Sequence, residues 1–204
     1  MYQRLAKQSC LAITCVNRRK EGRIDMLQQI DLSILLWIQE NLRVDFMNGF
    51  WKAVTFLGNG GWFWIMLGLL LLFWKKTRPV GGTILLALVI GALITNLGLK
   101  NLVARVRPYD FSDQVRLLVA PQLDYSFPSG HTCASFAAAV VCWKCLPRRY
   151  GLFALVLAAL IAFSRLYVGV HYPSDVIGGL LIGIFAGTAA CRITGKKFLR
   201  QNGV

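Results

Sequence analysis

Residues 80–99 carry no formally charged side chain over twenty consecutive positions. As an α-helix, such a stretch would be about 30 Å long, which matches the ~30 Å hydrocarbon core of a bilayer. The whole chain is similarly apolar, since hydrophobic residues make up 56% and charged residues only 16%. This balance excludes an intrinsically disordered protein and indicates a chain that spans a membrane.

Of four further apolar stretches, three are short for single spans and the fourth is interrupted by Ser164 and Arg165, but together they are typical of a compact bundle. They are residues 61–74, 132–146, 151–170 and 176–191. The first reaches full length only if residues 53–57 extend it through Gly58, Asn59 and Gly60. With residues 80–99, these stretches predict an all-α integral membrane helical bundle with five spans. Within the last stretch, Gly179, Gly183 and Gly187 repeat every four residues, which predicts close contact with a neighbouring helix.

The loops at one end of this bundle are basic, and those at the other end are mixed. The 23 Lys and Arg exceed the 9 Asp and Glu, for a formal charge of +14. Because the basic residues lie in hinges between apolar stretches, we exclude nucleic acid as a partner. The positive-inside rule predicts that the purely basic loops are cytoplasmic. Their residues are Lys75, Lys76, Arg78, Lys144, Arg148, Arg149, Arg192, Lys196, Lys197 and Arg200.

The N-terminal segment does not fit this orientation. Residues 1–25 contain six basic residues, although five spans with a cytoplasmic C-terminus place them outside. We therefore expect Met26 to be the native start and residues 1–25 to be a basic extension. Residues 26–57 are expected to form an amphipathic interfacial region, with one helix at residues 29–49. Residues 58–193 would form the transmembrane domain, and residues 194–204 a basic cytoplasmic tail.

Two polar loops on the expected outer side contain three groups of residues suited to binding an anion. Lys100 and Arg107 are seven residues apart, so that a continued helix would place both cations on one face; headgroup snorkelling is the alternative. Ser129 is suited to cap the helix that follows, with Gly130 and His131 in its first turn, and a capped N-terminus favours anions. A lone histidine there is also common for structural reasons.

The third group combines a cation with a His–Asp pair. Arg165 ends an apolar run at the membrane edge, where an unpaired charge is costly and suggests function. His171 and Asp175 are four residues apart, so the carboxylate could accept a hydrogen bond from one ring nitrogen and leave the other as nucleophile or base. Ser174 could cap the last helix. Since no cysteine or carboxylate cluster accompanies these groups, metal-free phosphoryl transfer is the simplest interpretation.

The three groups resemble the signature of the phosphatidic acid phosphatase type 2 (PAP2) superfamily. Its pattern is K-x6-RP, PSGH and SR-x5-H-x3-D, and the chain matches it from Lys100 to Pro108, Pro128 to His131 and Ser164 to Asp175. Many relatives have six spans, so the expected fold becomes a PAP2/haloperoxidase-like bundle of five to six transmembrane helices.

The resemblance implies a role for each matched residue and no metal or other cofactor. His171 would attack phosphorus, Asp175 would orient His171, and His131 would protonate the leaving group. The remaining matched residues would bind the phosphoryl oxygens; these are Lys100, Arg107, Ser129, Gly130 and Arg165.

These roles imply a lipid phosphate phosphatase of the cytoplasmic membrane, and the positive-inside rule places its site on the extracytoplasmic face. The substrates expected from the resemblance are undecaprenyl pyrophosphate, phosphatidylglycerophosphate or phosphatidic acid, and the loop at residues 110–124 is expected to help select the headgroup. A phosphotransferase on the same fold, or a non-catalytic lipid-binding or transport protein, stays open as an alternative.

Overall fold

The computed structural model describes residues 26–195 of the chain, and these residues are predominantly helical. The predicted extension at residues 1–25 and all but two residues of the predicted tail lie outside this range. The expected start at Met26 lies at its boundary. The helices are α1 (Met26–Asn41), α2 (Asp45–Leu57), α3 (Trp62–Leu72), α4 (Arg78–Ala92), α5 (Lys100–Val103), α6 (Pro108–Phe111), α7 (Gly130–Cys145), α8 (Arg148–Tyr167) and α9 (Pro173–Ile193).

The region expected to hold one amphipathic helix at residues 29–49 contains two helices instead. The chain leaves the helical conformation between α1 and α2, where Val44 is extended. At this break the Arg43 guanidinium donates to the Arg116 carbonyl, and the Val44 N–H donates to the Tyr167 hydroxyl. The break therefore lets α2 pack along α8, with Trp51 stacked on Tyr167, while α1 contacts both α8 and α9.

A sharp bend separates α2 from α3. A 3₁₀ turn at Asn59–Gly61 joins the two helices at an angle of 46°. Gly60 and Gly61 have φ angles of 58° and 70°, a region that side chains with a Cβ rarely adopt. The glycines thus allow the predicted extension of the first apolar stretch, but as a bent pair of helices and not as a straight one.

Helix α7 lies at the centre of the bundle and packs against α4, α8 and α9. Its contact with α9 is the closest, as the glycine repeat predicts. A Cβ on Gly179, Gly183 or Gly187 would lie 2.5–2.6 Å from the carbonyl oxygens of Ser129, Cys133 and Ala137, respectively. Only glycine fits at these three positions, so the backbones of α7 and α9 touch directly.

Different contacts join the elements at the two ends of the bundle. Near the basic end, Lys144 of α7 bonds Thr188 of α9, and Thr83 of α4 bonds Thr194. At the other end, the long loop from residue 112 to residue 129 and the short loop at residues 168–172 meet, since the Leu118 N–H donates to the Val168 carbonyl.

The outer surface of the bundle is apolar. Large side chains such as Leu97, Phe153, Leu181 and Phe185 are exposed, which is typical of helices that face lipid. Within residues 26–195, three stretches are long and apolar enough to cross a membrane, and the bent α2–α3 pair makes four if it is one span. The predicted number of five to six spans is therefore not confirmed. The three stretches are Arg78–Phe111, Arg148–Tyr167 and Pro173–Ile193.

Candidate active site

Lys100 and Arg107 come together, but not through the continuous helix that their spacing suggested. Helix α5 ends at Val103, because Ala104 takes a left-handed conformation with φ of 47°, and Arg107 is extended. The chain then returns so that both cations contact one carboxylate, that of Asp124. Arg107 is held further by hydrogen bonds to the carbonyls of Asp124 and Val170.

Asp124 is the partly exposed member of this group of three charges. Its side chain is 51% exposed, whereas the side chains of Lys100 and Arg107 are largely buried. Burial alone would raise the pKa of the Asp124 carboxyl, but the hydrogen bonds and charges of Lys100 and Arg107 outweigh it and lower that pKa below its usual value. The carboxylate therefore stays ionised and occupies the two cations.

The predicted cap at Ser129 is confirmed. Ser129 is the N-cap of α7, and its hydroxyl accepts a hydrogen bond from the Thr132 N–H. The Ser129 N–H in turn donates to the Asp175 carbonyl at 3.0 Å, which joins the start of α7 to the start of α9. Gly130 and His131 lie in the first turn of α7, as expected, and Nε2 of His131 is 2.9 Å from Oδ1 of Asn59.

Arg165 is a buried cation with an unused donor. Its residue is only 2% exposed, and its NH1 group donates to the Thr55 hydroxyl of α2 at 2.7 Å. Its Nε atom is buried and has no hydrogen-bond partner. A buried N–H of a charged group without a partner is costly, so this geometry favours an anion that arrives from outside the chain.

His171 and Asp175 form the expected pair. Nδ1 of His171 lies 3.4 Å from Oδ2 of Asp175, and both side chains are buried. Burial, together with the charges of Arg165 and Arg107, lowers the pKa of His171 to about 4, against the opposing effect of Asp175. The imidazole is therefore neutral near pH 7, and a hydrogen bond from Nδ1 to Asp175 leaves the Nε2 lone pair free.

The first turn of α9 differs from the prediction in one respect. Its N-cap is Tyr172, with Pro173 at the first helical position, and Ser174 is not the cap. The Tyr172 N–H donates to the Asp175 carboxylate at 2.9 Å, so Asp175 itself satisfies the start of the helix. Ser174 instead bonds Asp31 of α1.

All eight predicted site residues thus meet at one end of the bundle. Hydrogen bonds link Arg107 to the loop that carries His171, and Ser129 to Asp175. Arg165, Lys100 and Arg107 also lie near enough to His131 for their positive charges to disfavour a charge on its imidazole. A cavity of ≈ 580 Å³ opens beside Lys100, Gly130 and His131, and apolar side chains form a further part of its lining. Those side chains include Ile65, Leu85, Leu88 and Val89.

Four residues at the site escaped the sequence interpretation: Asn59, Asp124, Ser126 and Asp31. Ser126 donates to the Asp175 carboxylate. Asp31 is 2% exposed and shares the inner face of α1 with Leu35 and Ile38. An acidic residue on the same helical stripe as two buried apolar residues was a signal available in the sequence, whereas Asn59 and Asp124 carry no such signal.

The sequence and the fold are both similar to those of known proteins. The sequence model of the PAP2 superfamily matches residues 81–199. The chain is 38% identical to an undecaprenyl-diphosphatase of Sulfolobus acidocaldarius over 120 residues, 59% of this chain and 58% of that protein. It is 31% identical to phosphatidylglycerophosphatase B of Bacillus subtilis over 157 residues, 70% and 73% of the two chains. The chain thus spans about three fifths of the length of the archaeal relative.

A solved structure supports the same relationship. The crystal structure of a PAP2 type phosphatidylglycerolphosphate phosphatase from Bacillus subtilis superimposes with a TM-score of 0.70 at 26% identity. The superposition covers 91% of this chain and 94% of that one.

Proposed function

Because the chain belongs to the PAP2 superfamily, we propose that it is an integral membrane phosphatase that hydrolyses lipid phosphates or pyrophosphates. The observation that carries the proposal is Arg165, a buried guanidinium with an unused N–H, in a site that also holds Lys100, Arg107 and two histidines. A phosphate group offers the oxygens that this arrangement of donors lacks.

The geometry supports a two-step reaction through a phosphohistidine. Nε2 of neutral His171 attacks phosphorus; the N–P bond forms while the bond to the leaving oxygen breaks, and His131 gives that oxygen a proton. Water then attacks the phosphohistidine, with His131 accepting its proton, and releases inorganic phosphate and free His171. Asp175 would hold the imidazole through Nδ1, at the 3.4 Å contact.

The positive charge for the transition state comes from side chains and from the start of α7. Lys100, Arg107 and Arg165, with Ser129 and the Gly130 N–H, would hold the phosphoryl oxygens. Within residues 26–195, no group of three or more His, Cys, Asp or Glu side chains is placed to share a metal ion. We therefore propose a metal-independent reaction.

The cavity supports a lipid as the substrate class. Its lining combines Lys100 and His131 with the apolar side chains of Ile65, Leu85, Leu88 and Val89, which suit a hydrocarbon chain attached to the phosphate. Relatives named for undecaprenyl diphosphate and for phosphatidylglycerophosphate fit this class. Because the site lies at the end of the bundle opposite the basic loops, we propose that it faces the extracytoplasmic side of the cytoplasmic membrane.

Phosphate release by the detergent-purified protein in EDTA tests the proposal. The substrates are undecaprenyl pyrophosphate, phosphatidylglycerophosphate, phosphatidic acid and a soluble phosphomonoester, beside His171→Ala as control. We expect release that depends on His171, persists in EDTA and is inhibited by vanadate, which mimics five-coordinate phosphorus. Substantial activity in His171→Ala would contradict the mechanism. Consumption of the substrate only on addition of an alcohol acceptor, with the phosphoryl group recovered on that alcohol and not as free phosphate, would indicate the phosphotransferase.

A further inference from the structure

Arg105 joins two buried carboxylates that come from opposite ends of the chain. Its NH1 group donates to Oδ1 of Asp175 and its NH2 group to Oδ2 of Asp31, each at 2.6 Å. The guanidinium also lies over the ring of Tyr172, 4.0 Å from its centre. Arg105 is thus the cation that compensates both carboxylates in a largely buried cluster.

The bond from Arg105 determines which oxygen of Asp175 faces the proposed nucleophile. Arg105 occupies Oδ1, whereas the donors on Oδ2 are the Ser126 hydroxyl, the Tyr172 N–H and Nδ1 of His171. Asp175 is fully buried, so its negative charge next to a neutral imidazole would be costly without a cation on the other oxygen. Arg105 therefore orients this carboxylate and offsets part of its charge, while the donors on Oδ2 keep the carboxylate ionised.

Asp31 fixes Arg105 from the other side. Oδ1 of Asp31 accepts the Ser174 N–H at 3.0 Å, and Oδ2 accepts both Arg105 and the Ser174 hydroxyl. Since Ser174 belongs to the first turn of α9, Asp31 connects α1 to the helix that carries Asp175. Helix α1 precedes residues 81–199, the part of the chain that the PAP2 sequence model matches.

We propose that Arg105 is a positioning residue that acts on His171 through Asp175, and that Asp31 makes α1 part of the catalytic unit. The proposal rests on the proposed function, because it takes His171 as the nucleophile. Neither Arg105 nor Asp31 touches the cations assigned to the phosphate. The two residues therefore act on the rate of the chemical step and not on substrate binding.

Steady-state hydrolysis by Arg105→Gln, Asp31→Asn and the double variant tests this role. We expect Arg105→Gln to lower kcat about ten- to a hundredfold, the scale on which loss of a partner that orients a functional histidine acts, with KM unchanged. Asp31→Asn should lower kcat about threefold to tenfold by itself and add nothing in the Arg105→Gln background, because two residues acting in series are not additive. Full additivity of the two losses overturns the proposal.

Gln39→Ala separates positioning from loss of the α1 contact. Gln39 is on the same helix, accepts the Arg116 N–H at 2.7 Å and donates to the Gln114 carbonyl at 2.9 Å, without any contact to Arg105. We expect this variant to keep the kcat of the unchanged protein. A loss of kcat in Gln39→Ala equal to that in Asp31→Asn would show that Asp31 only anchors the helix.

The pH dependence of kcat/KM gives a readout that a mere loss of packing around Arg105 would not change. Removing the cation in Arg105→Gln strengthens the negative field at His171 and raises the pKa of His171, so the acid limb of the profile moves to higher pH. Removing the anion in Asp31→Asn acts oppositely, so its limb does not move up. An acid limb in Arg105→Gln that stays in place contradicts the proposal.

Two further variants keep the outcome decisive. Arg105→Lys retains the charge and should restore much of the kcat and the original acid limb, which covers the case in which Arg105→Gln does not fold. His171→Ala tests the proposed function separately. If His171→Ala is inactive while Arg105→Gln and Asp31→Asn are fully active, this inference alone fails; if His171→Ala is active, the proposed function fails.

Discussion

The amide oxygen of Asn59 lies 2.9 Å from Nε2 of His131, a distance at which a protonated Nε2 donates to that oxygen. Gly58 beside it has no space for a side chain, since a Cβ there would be 2.6 Å from Cδ2 of His131. The bend between α2 and α3 thus holds the imidazole in place, and the Asn59 oxygen stabilises its protonated, charged form.

Asn59→Ala should therefore impair the proposed role of His131 as acid. Loss of one hydrogen bond of ~1 kcal/mol predicts about a fivefold lower kcat with a lipid phosphate, whose leaving oxygen needs a proton. With p-nitrophenyl phosphate, whose leaving group needs none, kcat should change little. Asn101→Ala, on the exposed end of α5, is the control. An equal loss with both substrates would contradict this role.

Asp124→Asn should strengthen the binding of competing anions. The Asp124 carboxylate bridges Lys100 and Arg107, and a phosphate has to displace it to reach both cations. Since a half-exposed ion pair is worth up to ~1 kcal/mol, the inhibition constants of vanadate and phosphate should fall up to about fivefold. Asp113→Asn removes the same charge from an exposed site in the same loop and serves as control. Weaker inhibition in Asp124→Asn would show that the carboxylate holds the cations in place instead.

Arg165→Lys should lower kcat/KM by at least about tenfold although the charge is kept. Lysine lacks the planar fork, so it cannot bond Thr55 and present a second N–H to the ligand at the same time. The measurement is steady-state hydrolysis together with vanadate affinity, and both should weaken. Full activity of the lysine variant would show that only the charge at this position matters.

The pH dependence of His171 can be observed directly, because the chain contains only two histidines. His131→Gln leaves His171 as the only imidazole, and its ring nitrogens can be followed by NMR after histidine labelling. Burial lowers the pKa of His171 to about 4, so the ring should stay neutral as pH falls through 6.5 and become charged only near 4. Titration near 6.5 would contradict the burial that the fold assigns to it.

Gly183→Val should destabilise the bundle. A Cβ at Gly183 would lie 2.6 Å from the Cys133 carbonyl, so α7 and α9 would have to separate at a cost of ~1–3 kcal/mol. Thermal unfolding in detergent should show a lower Tm and a loss of activity. Gly82→Val, on α4, has no atom within 4 Å of the new Cβ and should leave Tm nearly unchanged.

Sequence patterns predicted the parts of the structure that depend on local periodicity and capping. The repeat of Gly179, Gly183 and Gly187 predicted a close helix contact, and Ser129 was recognised as the cap of α7; both are confirmed. A continued helix would have placed Lys100 and Arg107 on one face; the chain turns at Ala104 instead, and both cations meet at Asp124.

Residues that act through tertiary contacts escaped the sequence interpretation. Arg105 was not among the predicted site residues, and nothing in its neighbours on the chain indicates that it bonds Asp31, 74 positions earlier. Asn59 lies 72 positions from His131. Pairings at such separations depend on how helices cross, which local pattern does not contain.

The direct backbone contact between α7 and α9 separates the helices that hold the proposed catalytic residues from those that line the cavity with apolar side chains. His131 lies on α7 and Asp175 on α9, so the contact between these two helices sets the distance between the two residues. The apolar wall of the cavity comes from α3 and α4, which lie outside that contact. Substitutions at Ile65, Leu85 or Val89 would therefore change the shape of the cavity while His131 and Asp175 keep their spacing. In this bundle the selection of the proposed lipid can thus vary independently of the proposed catalytic residues.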